Sequence, residues 1–269
     1  AMRGRAGATG TAYAKMTGTL AHHFAQLRQA ALSVLSVIGE ALAEPVARAA
    51  KAITRFARNL RELISAQPGG LPVAPAAFIF AEACKGLEYS HAKIDDQTGT
   101  ALNIVHRDIS PQNILVGFQG EVKISDFGIS KAKSEPSLTQ TGILKGKLMY
   151  LAPEQLSGAG VDHRLDIYAL GLVFYEALTG QPAYRFASEI EAIRGIPTAV
   201  VTPPDERNPA VPAELSRIVM KCLEKEVEAR YRSAGELFAD LAAFRKTPGQ
   251  GFDAADLAAF MRERVGKDR

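Results

Sequence analysis

The sequence HRDISPQN, at residues 106–113, decides how this chain of 269 residues is interpreted. DFG follows at residues 126–128, and APE follows at residues 152–154. Short apolar runs that favour β-strands lie between the first two motifs, at residues 114–116 and 122–124. Each tripeptide is common by itself. All three in this order and at this spacing are a far more specific signal than any one of them.

Together these motifs resemble those of the eukaryotic-like protein kinases, and the form HRDISPQN is most similar to that of bacterial serine/threonine kinases. The resemblance covers residues 75–245, which correspond to the C-terminal lobe of such a kinase. It implies a mainly α fold (α+β), ATP and Mg²⁺ as cofactors, and transfer of the γ-phosphate to a serine or threonine hydroxyl of a protein substrate.

The periodicity of apolar residues predicts the helices of this lobe. A stripe at three- and four-residue steps predicts a helix over residues 75–92, with Pro75 in its first turn. A further β-rich run lies at Asn103–Val105. After Pro153 the pattern is mostly helical to the end of the chain, with a Pro-rich loop at residues 197–212.

The resemblance also assigns candidate roles in the active site. It implies that Asp108 accepts the proton of the substrate hydroxyl or orients that hydroxyl. Asn113 and Asp126 would bind Mg²⁺, because their oxygen atoms are the hard ligands that this cation prefers. Leu115 would lie under the adenine of ATP. The alternative interpretation is that the two aspartates are ordinary loop or capping carboxylates.

The resemblance implies supporting contacts around these residues. His106 and Phe127 would pack as an apolar column beneath the site. Asp166 would accept hydrogen bonds from backbone N–H groups of the HRD loop, and Glu154 would form a buried ion pair with Arg230. The alternative is that these are surface charges.

The residues between DFG and APE, at positions 129–151, resemble an activation segment. Four hydroxyl residues there are candidate phosphorylation sites: Ser134, Ser137, Thr139 and Thr141. Arg107 is the expected partner of an added phosphate. Ser110 stands where many serine/threonine kinases have a lysine that helps to hold the γ-phosphate, which weakens the case for ordinary serine/threonine catalysis.

The first 66 residues differ from the rest of the chain. They contain nine Lys/Arg and three acidic residues, whereas the remaining 203 residues contain 23 Lys/Arg and 26 acidic residues. Apolar stripes at residues 20–43 and 46–64 predict two antiparallel helices. We therefore divide the chain into residues 1–66, a helical hairpin or degenerate N-lobe, and residues 67–269, the kinase C-lobe.

A complete kinase also needs an N-lobe with a glycine-rich loop and a strand lysine that holds the phosphates. The run ALSVL at residues 31–35 resembles that strand, with Ser33 in place of the lysine, but it fits the helical stripe better. Lys15 and Lys51 are the only lysines before residue 67, and neither has the expected context. The sequence thus predicts that the N-lobe is truncated, replaced or strongly diverged.

Three functions remain open at this point. The chain is an active protein kinase, a pseudokinase that acts as a binding or regulatory module, or, least favoured, a protein whose basic residues 20–66 lie on an anionic membrane. A protein substrate or protein partner is expected, and nucleic acid is not. The two cysteines lie far apart, and no apolar run reaches the roughly 18 residues of a membrane span, so we expect a cytoplasmic protein.

Overall fold

The computed structural model of the chain describes residues 58–127, 148–157 and 160–265. The strands of these ranges are β1 (Arg58–Asn59), β2 (Ile114–Val116) and β3 (Val122–Ile124). The α-helices are α1 (Leu60–Ser65), α2 (Val73–His91), α3 (Pro153–Ser157), α4 (Arg164–Thr179), α5 (Glu189–Gly195), α6 (Pro204–Arg207), α7 (Ala213–Cys222), α8 (Ala234–Phe244) and α9 (Ala254–Val265). Single 3₁₀ turns lie at Leu148–Tyr150 and Val227–Ala229. The expected mainly α architecture with a small sheet is confirmed.

Helix α4 lies at the centre of the core, because its side chains are mostly apolar and must be covered on all sides. Residues 165–179 of this helix are all buried. Helices α2 and α7 pack against it, and α8 packs against α2. The rings of Phe80 in α2 and Phe174 in α4 stack with their centroids 4.1 Å apart. The surrounding helices are therefore positioned by α4.

The three strands form one antiparallel sheet in the order β1-β2-β3. Ile114 pairs with Ile124, and Leu115 pairs with Lys123, so β2 and β3 form a hairpin of three residues on each side. Asn59 pairs with Leu115 on the other edge of β2. The sequence predicted both hairpin strands at these positions, and it predicted α2 to within two residues.

The β-rich run predicted at Asn103–Val105 is not a strand in the structure, and this prediction was wrong. The chain there forms a single antiparallel bridge between Ile94 and Ala101. Asn103 then takes a left-handed backbone conformation, with φ of 46°, which cannot continue a strand.

The predicted N-terminal hairpin lies outside the described residues, except for the last part of its second helix. In that part the predicted helix is interrupted, because Arg58–Asn59 is a strand. The side chain of Asn59 accepts the N–H of Glu62 at 3.2 Å and so caps the start of α1. Leu60 and Leu63 of α1 are buried in the same core as α2 and α4. Helix α1 therefore packs with the lobe that follows it. The division of the chain at residue 66 stays a prediction.

No helix in the described ranges is both long and apolar enough to cross a bilayer.

The close approach of α4 and α7 generates a stability prediction. A Cβ atom at Gly171 would lie 2.6 Å from Cβ of Cys222, so Gly171→Ala should overpack the contact and lower the free energy of unfolding by about 1–3 kcal/mol. Gly86 is a matched control at an exposed position of α2, where a Cβ would meet Ile124 only at 3.8 Å. Gly86→Ala should raise stability by about 0.5–1 kcal/mol in urea unfolding. Equal effects of the two variants would contradict the tight α4–α7 contact.

Candidate active site

The loop of residues 106–113, named the catalytic loop below, is attached to α4 through Asp166. The carboxylate of Asp166 is fully buried and accepts the backbone N–H of His106 at 2.8 Å and that of Arg107 at 2.8 Å. Arg107 has a left-handed backbone with φ of 64°, which an L-residue adopts only when its surroundings hold it there. The prediction that Asp166 binds backbone N–H groups of this loop is confirmed.

His106 joins the catalytic loop to the residues that follow β3. Its Nδ1 accepts the backbone N–H of Asp108 at 3.2 Å, so Nε2 carries the proton that it donates to the carbonyl of Ser125 at 2.9 Å. The rings of His106 and Phe127 pack with centroids 4.5 Å apart. The predicted packing of His106 on Phe127 is confirmed.

The β2–β3 hairpin brings the two predicted metal ligands together. Asn113 directly precedes β2, and Ser125 directly follows β3. The N–H of Ser125 donates to the carbonyl of Asn113 at 2.9 Å. Asp126 is the next residue, exposed, with φ of 59° and its carboxylate accepting from the Ser125 hydroxyl at 3.2 Å. Asn113 and Asp126 therefore lie at the same end of the hairpin.

Asp108 lies at this end as well. Its carbonyl accepts the side-chain N–H of Asn113 at 2.7 Å, which fixes the amide of that residue. Ser110 is buried, and its carbonyl accepts the backbone N–H of Asn113 at 3.0 Å. Leu115 is half-buried in the middle of β2. The structure thus brings Asp108, Asn113 and Asp126 to one edge of the lobe, and the role of Leu115 under an adenine stays a prediction.

The oxygen atoms at this edge fit Mg²⁺. Because the amide nitrogen of Asn113 is already bonded to Asp108, the amide oxygen is the atom available to a cation, and Asp126 adds an exposed carboxylate. Among the described residues there is no group of three or more His, Cys, Asp or Glu side chains that could hold a metal. Two protein ligands suit Mg²⁺, which completes its six positions with water and substrate phosphates.

Arg230 and Glu154 form the buried ion pair that the sequence predicted. The guanidinium donates to both carboxylate oxygens of Glu154, at 2.6 Å and 2.9 Å, and Arg230 is 3% exposed. Its Nε and Nη2 also donate to the carbonyls of Glu224 and Lys225, at 2.7 Å and 3.1 Å. Glu154 lies in α3, so the pair holds the helix of the APE motif against the loop before α8.

Two further buried carboxylate contacts were missed in the sequence. His91, in the last turn of α2, places its Nε2 2.9 Å from the carboxylate of Asp166. Glu176 of α4 accepts from Tyr150 at 2.5 Å and from Arg61 of α1 at 2.8 Å. The partners are up to 115 residues apart, and no local pattern links them.

Lys225 lies beside the buried ion pair. Its ammonium donates to the hydroxyls of Tyr184 and Tyr168, at 2.7 Å and 3.0 Å, and to the carbonyl of Ile196 at 2.7 Å. Burial lowers the pKa of Lys225 to about 8, and the neighbouring charge of Arg230 acts in the same direction. Burial also raises the pKa of both tyrosines. This cluster fixes the segment after α5 against α4.

A cavity of about 430 Å³ opens next to Lys225, between α3, α5 and residues 225–228. Its wall also includes Glu154, Arg164 and Pro197. The wall contains none of the predicted active-site residues, so this cavity is separate from the candidate active site.

The comparisons with known proteins agree with this geometry. The protein kinase domain family matches residues 53–240, which is more than half of the chain. The chain therefore belongs to the protein kinase family.

Several bacterial kinases are similar to this chain. The tyrosine-protein kinase MasK of Myxococcus xanthus is 40% identical over 200 residues, which are 74% of this chain and 31% of MasK. The serine/threonine-protein kinase PknB of Mycobacterium leprae is 38% identical over 184 residues, 68% of this chain and 28% of PknB. PknB of Mycolicibacterium smegmatis is 40% identical over 187 residues, with the same shares. The matched region is thus less than a third of each relative.

These comparisons confirm the resemblance to bacterial kinases. The relatives include both a tyrosine kinase and serine/threonine kinases, so homology does not decide which hydroxyl accepts phosphate. The predicted loss of the N-lobe concerns residues outside the described ranges, and it stays a prediction. The four candidate phosphorylation sites between DFG and APE also lie outside those ranges.

The ion pair of Arg230 generates the second prediction. Arg230→Ala should leave the carboxylate of Glu154 buried without its charge partner and lower the free energy of unfolding by about 3–5 kcal/mol. Lys85→Ala is the control, because it removes a 52% exposed cation that pairs with Glu82 on the surface of α2. That control should change stability by less than about 1 kcal/mol. A melting curve left unchanged by Arg230→Ala would show that the pair contributes nothing.

The lowered pKa of Lys225 generates the third prediction. An unfolded lysine has a pKa of about 10.4, so between pH 8 and that value the unfolded chain binds more protons than the folded chain. The free energy of unfolding therefore gains a contribution from Lys225 as pH rises through this window. The Lys225→Met variant lacks this contribution. The free energy of unfolding of the wild type should therefore rise relative to that of Lys225→Met between about pH 7.5 and pH 9.5.

Chemical unfolding of both proteins at several pH values measures this difference, with Lys85→Met as the matched lysine control. A difference between wild type and Lys225→Met that stays constant across the range would contradict the lowered pKa.

Proposed function

We propose that this chain is a kinase that transfers the γ-phosphate of ATP to a hydroxyl group of a protein substrate. The observation that supports this function best is the meeting of three groups at one end of the β2–β3 hairpin. Asn113 is held there by its bonds to the carbonyls of Asp108 and Ser110, and Asp126 follows Ser125, whose N–H donates to Asn113. Phosphoryl transfer needs mainly positioning and charge neutralisation, which groups gathered in this way can supply.

Each residue has a distinct role in this proposal. The substrate oxygen forms a bond to the γ-phosphorus, the bond from that phosphorus to the β–γ bridging oxygen breaks, and ADP leaves. Asp108 accepts the proton of the hydroxyl or orients it. The oxygens of Asn113 and Asp126 would hold Mg²⁺, which neutralises the charge of the phosphates when it is bound.

The class of acceptor hydroxyl is part of the proposal. A serine or threonine acceptor follows from the similarity to PknB. Ser110, however, is short and uncharged where many serine/threonine kinases have lysine, and one relative is named a tyrosine kinase. Peptide substrates with serine, threonine and tyrosine should therefore be assayed side by side.

A second candidate function is a pseudokinase that binds a protein partner without catalysis. Two observations favour it: Ser110 removes one cation from the phosphate site, and the first 66 residues contain no lysine in the context of the phosphate-binding strand. A cation that holds a transferring phosphate contributes several kcal/mol, so its loss costs orders of magnitude in rate. The localisation expected for both functions is cytoplasmic.

The fourth prediction concerns nucleotide binding by the whole chain. Calorimetric titration should show that ATP binds only with Mg²⁺, and with a dissociation constant clearly above micromolar, because the metal ligands are present but the phosphate grip is weak. Asp126→Ala should abolish this Mg²⁺-dependent binding. Asp96→Ala is the matched control, because this aspartate lies in an exposed loop. This variant should bind ATP as the wild type does.

Phosphorylation assays then separate the two functions. A kinase with a weak phosphate grip should label itself or a peptide slowly, and Asp108→Asn should stop this labelling. Mass spectrometry should find few phosphates on Ser134, Ser137, Thr139 and Thr141. Bound nucleotide without any labelling would support the pseudokinase. Rapid labelling that Asp108→Asn abolishes would contradict the weak grip and indicate a fully active kinase.

A further inference from the structure

Helix α9 follows the residues that match the kinase family, 53–240, and still belongs to the same core. Leu257 and Met261 on its inner side are 0% exposed. Phe252, just before the helix, contacts Phe78 of α2 edge to face, with ring centroids 5.9 Å apart. This helix is therefore a packed part of the lobe, which the family match alone does not include.

The first turn of α9 is held in place from two sides. The side chain of Asp253 accepts the N–H groups of Ala255 and Asp256, at 2.8 Å and 3.0 Å, and the carboxylate of Asp256 accepts the N–H of Asp253 at 3.0 Å. This reciprocal arrangement is a capping box. Arg245, at the end of α8, donates to the carbonyl of Phe252 at 2.5 Å. The position where α9 begins is thus closely defined.

The beginning of α9 touches the turn that joins β2 and β3. Gly120 lies in this turn with φ of +90°, and its N–H donates to the carbonyl of Gly117 at 3.1 Å. A Cβ atom at Gly120 would overlap the carbonyl oxygen of Ala254, the first residue of α9, and would lie 2.7 Å from its carbonyl carbon. The backbone of the turn therefore rests directly on the backbone of the helix.

The other end of this short hairpin holds the predicted metal ligands. Only the three residues of β2 separate the turn from Asn113, and only the three residues of β3 and Ser125 separate it from Asp126. The ladder between β2 and β3 therefore connects the turn to both residues over a short distance. We propose that α9 is a positioning element of the nucleotide site, and that it acts through its backbone contact with Gly120.

Positioning of the hairpin by α9 has different consequences from general stabilisation of the lobe. A helix that only adds apolar contacts would stabilise the whole lobe to a similar extent. A helix that supports the hairpin turn protects the hairpin amides in particular and sets the Mg²⁺-dependent affinity for nucleotide. The effect on nucleotide rests on the proposed function, whereas the effect on the hairpin amides does not.

Two variants disturb the contact between Gly120 and Ala254, one from the hairpin and one from α9. Gly120→Ala puts a methyl group against Ala254. Its control is Gly99→Ala, at an exposed turn with φ of +67° and nothing within 4 Å of the added Cβ. Asp253→Ala leaves the hairpin sequence unchanged and removes the N-terminal cap of α9. Its control is Ser233→Ala, which removes the equivalent cap of α8, where Ser233 accepts the N–H of Glu236 at 3.1 Å.

Hydrogen exchange followed by mass spectrometry measures the amides of residues 114–124 in the full chain. Asp253→Ala should make them exchange about fivefold faster, as expected for the loss of one cap, and Gly120→Ala should have at least this effect. Calorimetry with ATP and Mg²⁺ should show an affinity about tenfold lower in both variants, as for groups that orient metal ligands. Both controls should match the wild type in these two measurements.

The outcomes separate this proposal from the proposed function. Hairpin exchange that stays unchanged in both variants overturns the positioning role of α9. Faster hairpin exchange with an unchanged Mg²⁺-dependent affinity also overturns it. If the wild type binds no nucleotide, the proposed function fails, and the exchange data alone then support or overturn the contact between α9 and the hairpin.

Discussion

The buried carboxylate of Asp166 is the interaction on which the catalytic loop depends. Burying an ionised carboxylate costs several kcal/mol unless donors replace its water, and here two backbone N–H groups and His91 do so. A backbone N–H cannot turn away as a side chain can. The two bonds therefore fix the path of the loop, including the left-handed backbone at Arg107.

The other end of the catalytic loop is tied to the same helix by a different route. The N–H of Arg61 in α1 donates to the carbonyl of Pro111 at 3.2 Å, and its guanidinium donates to Glu176 of α4. Asp166 and Glu176 lie ten positions apart on α4, close to three helical turns. The catalytic loop is thus attached at both ends to the helix that the core surrounds most completely. The position of Asp108 follows from these two attachments.

The sequence predicted those parts of this arrangement that a local pattern records. The stripe over residues 75–92 identified α2, and the apolar runs at residues 114–116 and 122–124 identified the β2–β3 hairpin. The family resemblance that the three motifs carry implied the roles of Asp166 and of the pair of Glu154 with Arg230. The sequence did not identify contacts between residues that are distant in the chain and belong to no motif. In the sequence, His91 is simply one more position of the apolar stripe of α2. No local pattern indicates its hydrogen bond to Asp166, which is 75 residues away.

Local patterns also failed where tertiary contacts overrode them. The helical stripe runs through Arg58–Asn59, but pairing with β2 makes these two residues a strand, and the cap at Asn59 restarts the helix. The run at Asn103–Val105 has strand-forming residues without a neighbouring strand to pair with in the described structure. In both cases the outcome depended on whether a partner strand lay alongside, and a single-sequence pattern does not contain that information.

The residues of the candidate site differ in how deeply they are buried. His106, Ser110 and Asn113 are buried, and the core holds them whatever is bound. Asp126 is exposed and has a left-handed backbone, and it follows β3 after one residue, Ser125. A cation bound there would not require the costly burial of an unpaired charge. The site therefore combines a loop that the core holds in place with one exposed carboxylate, the predicted metal ligand Asp126, that follows the hairpin.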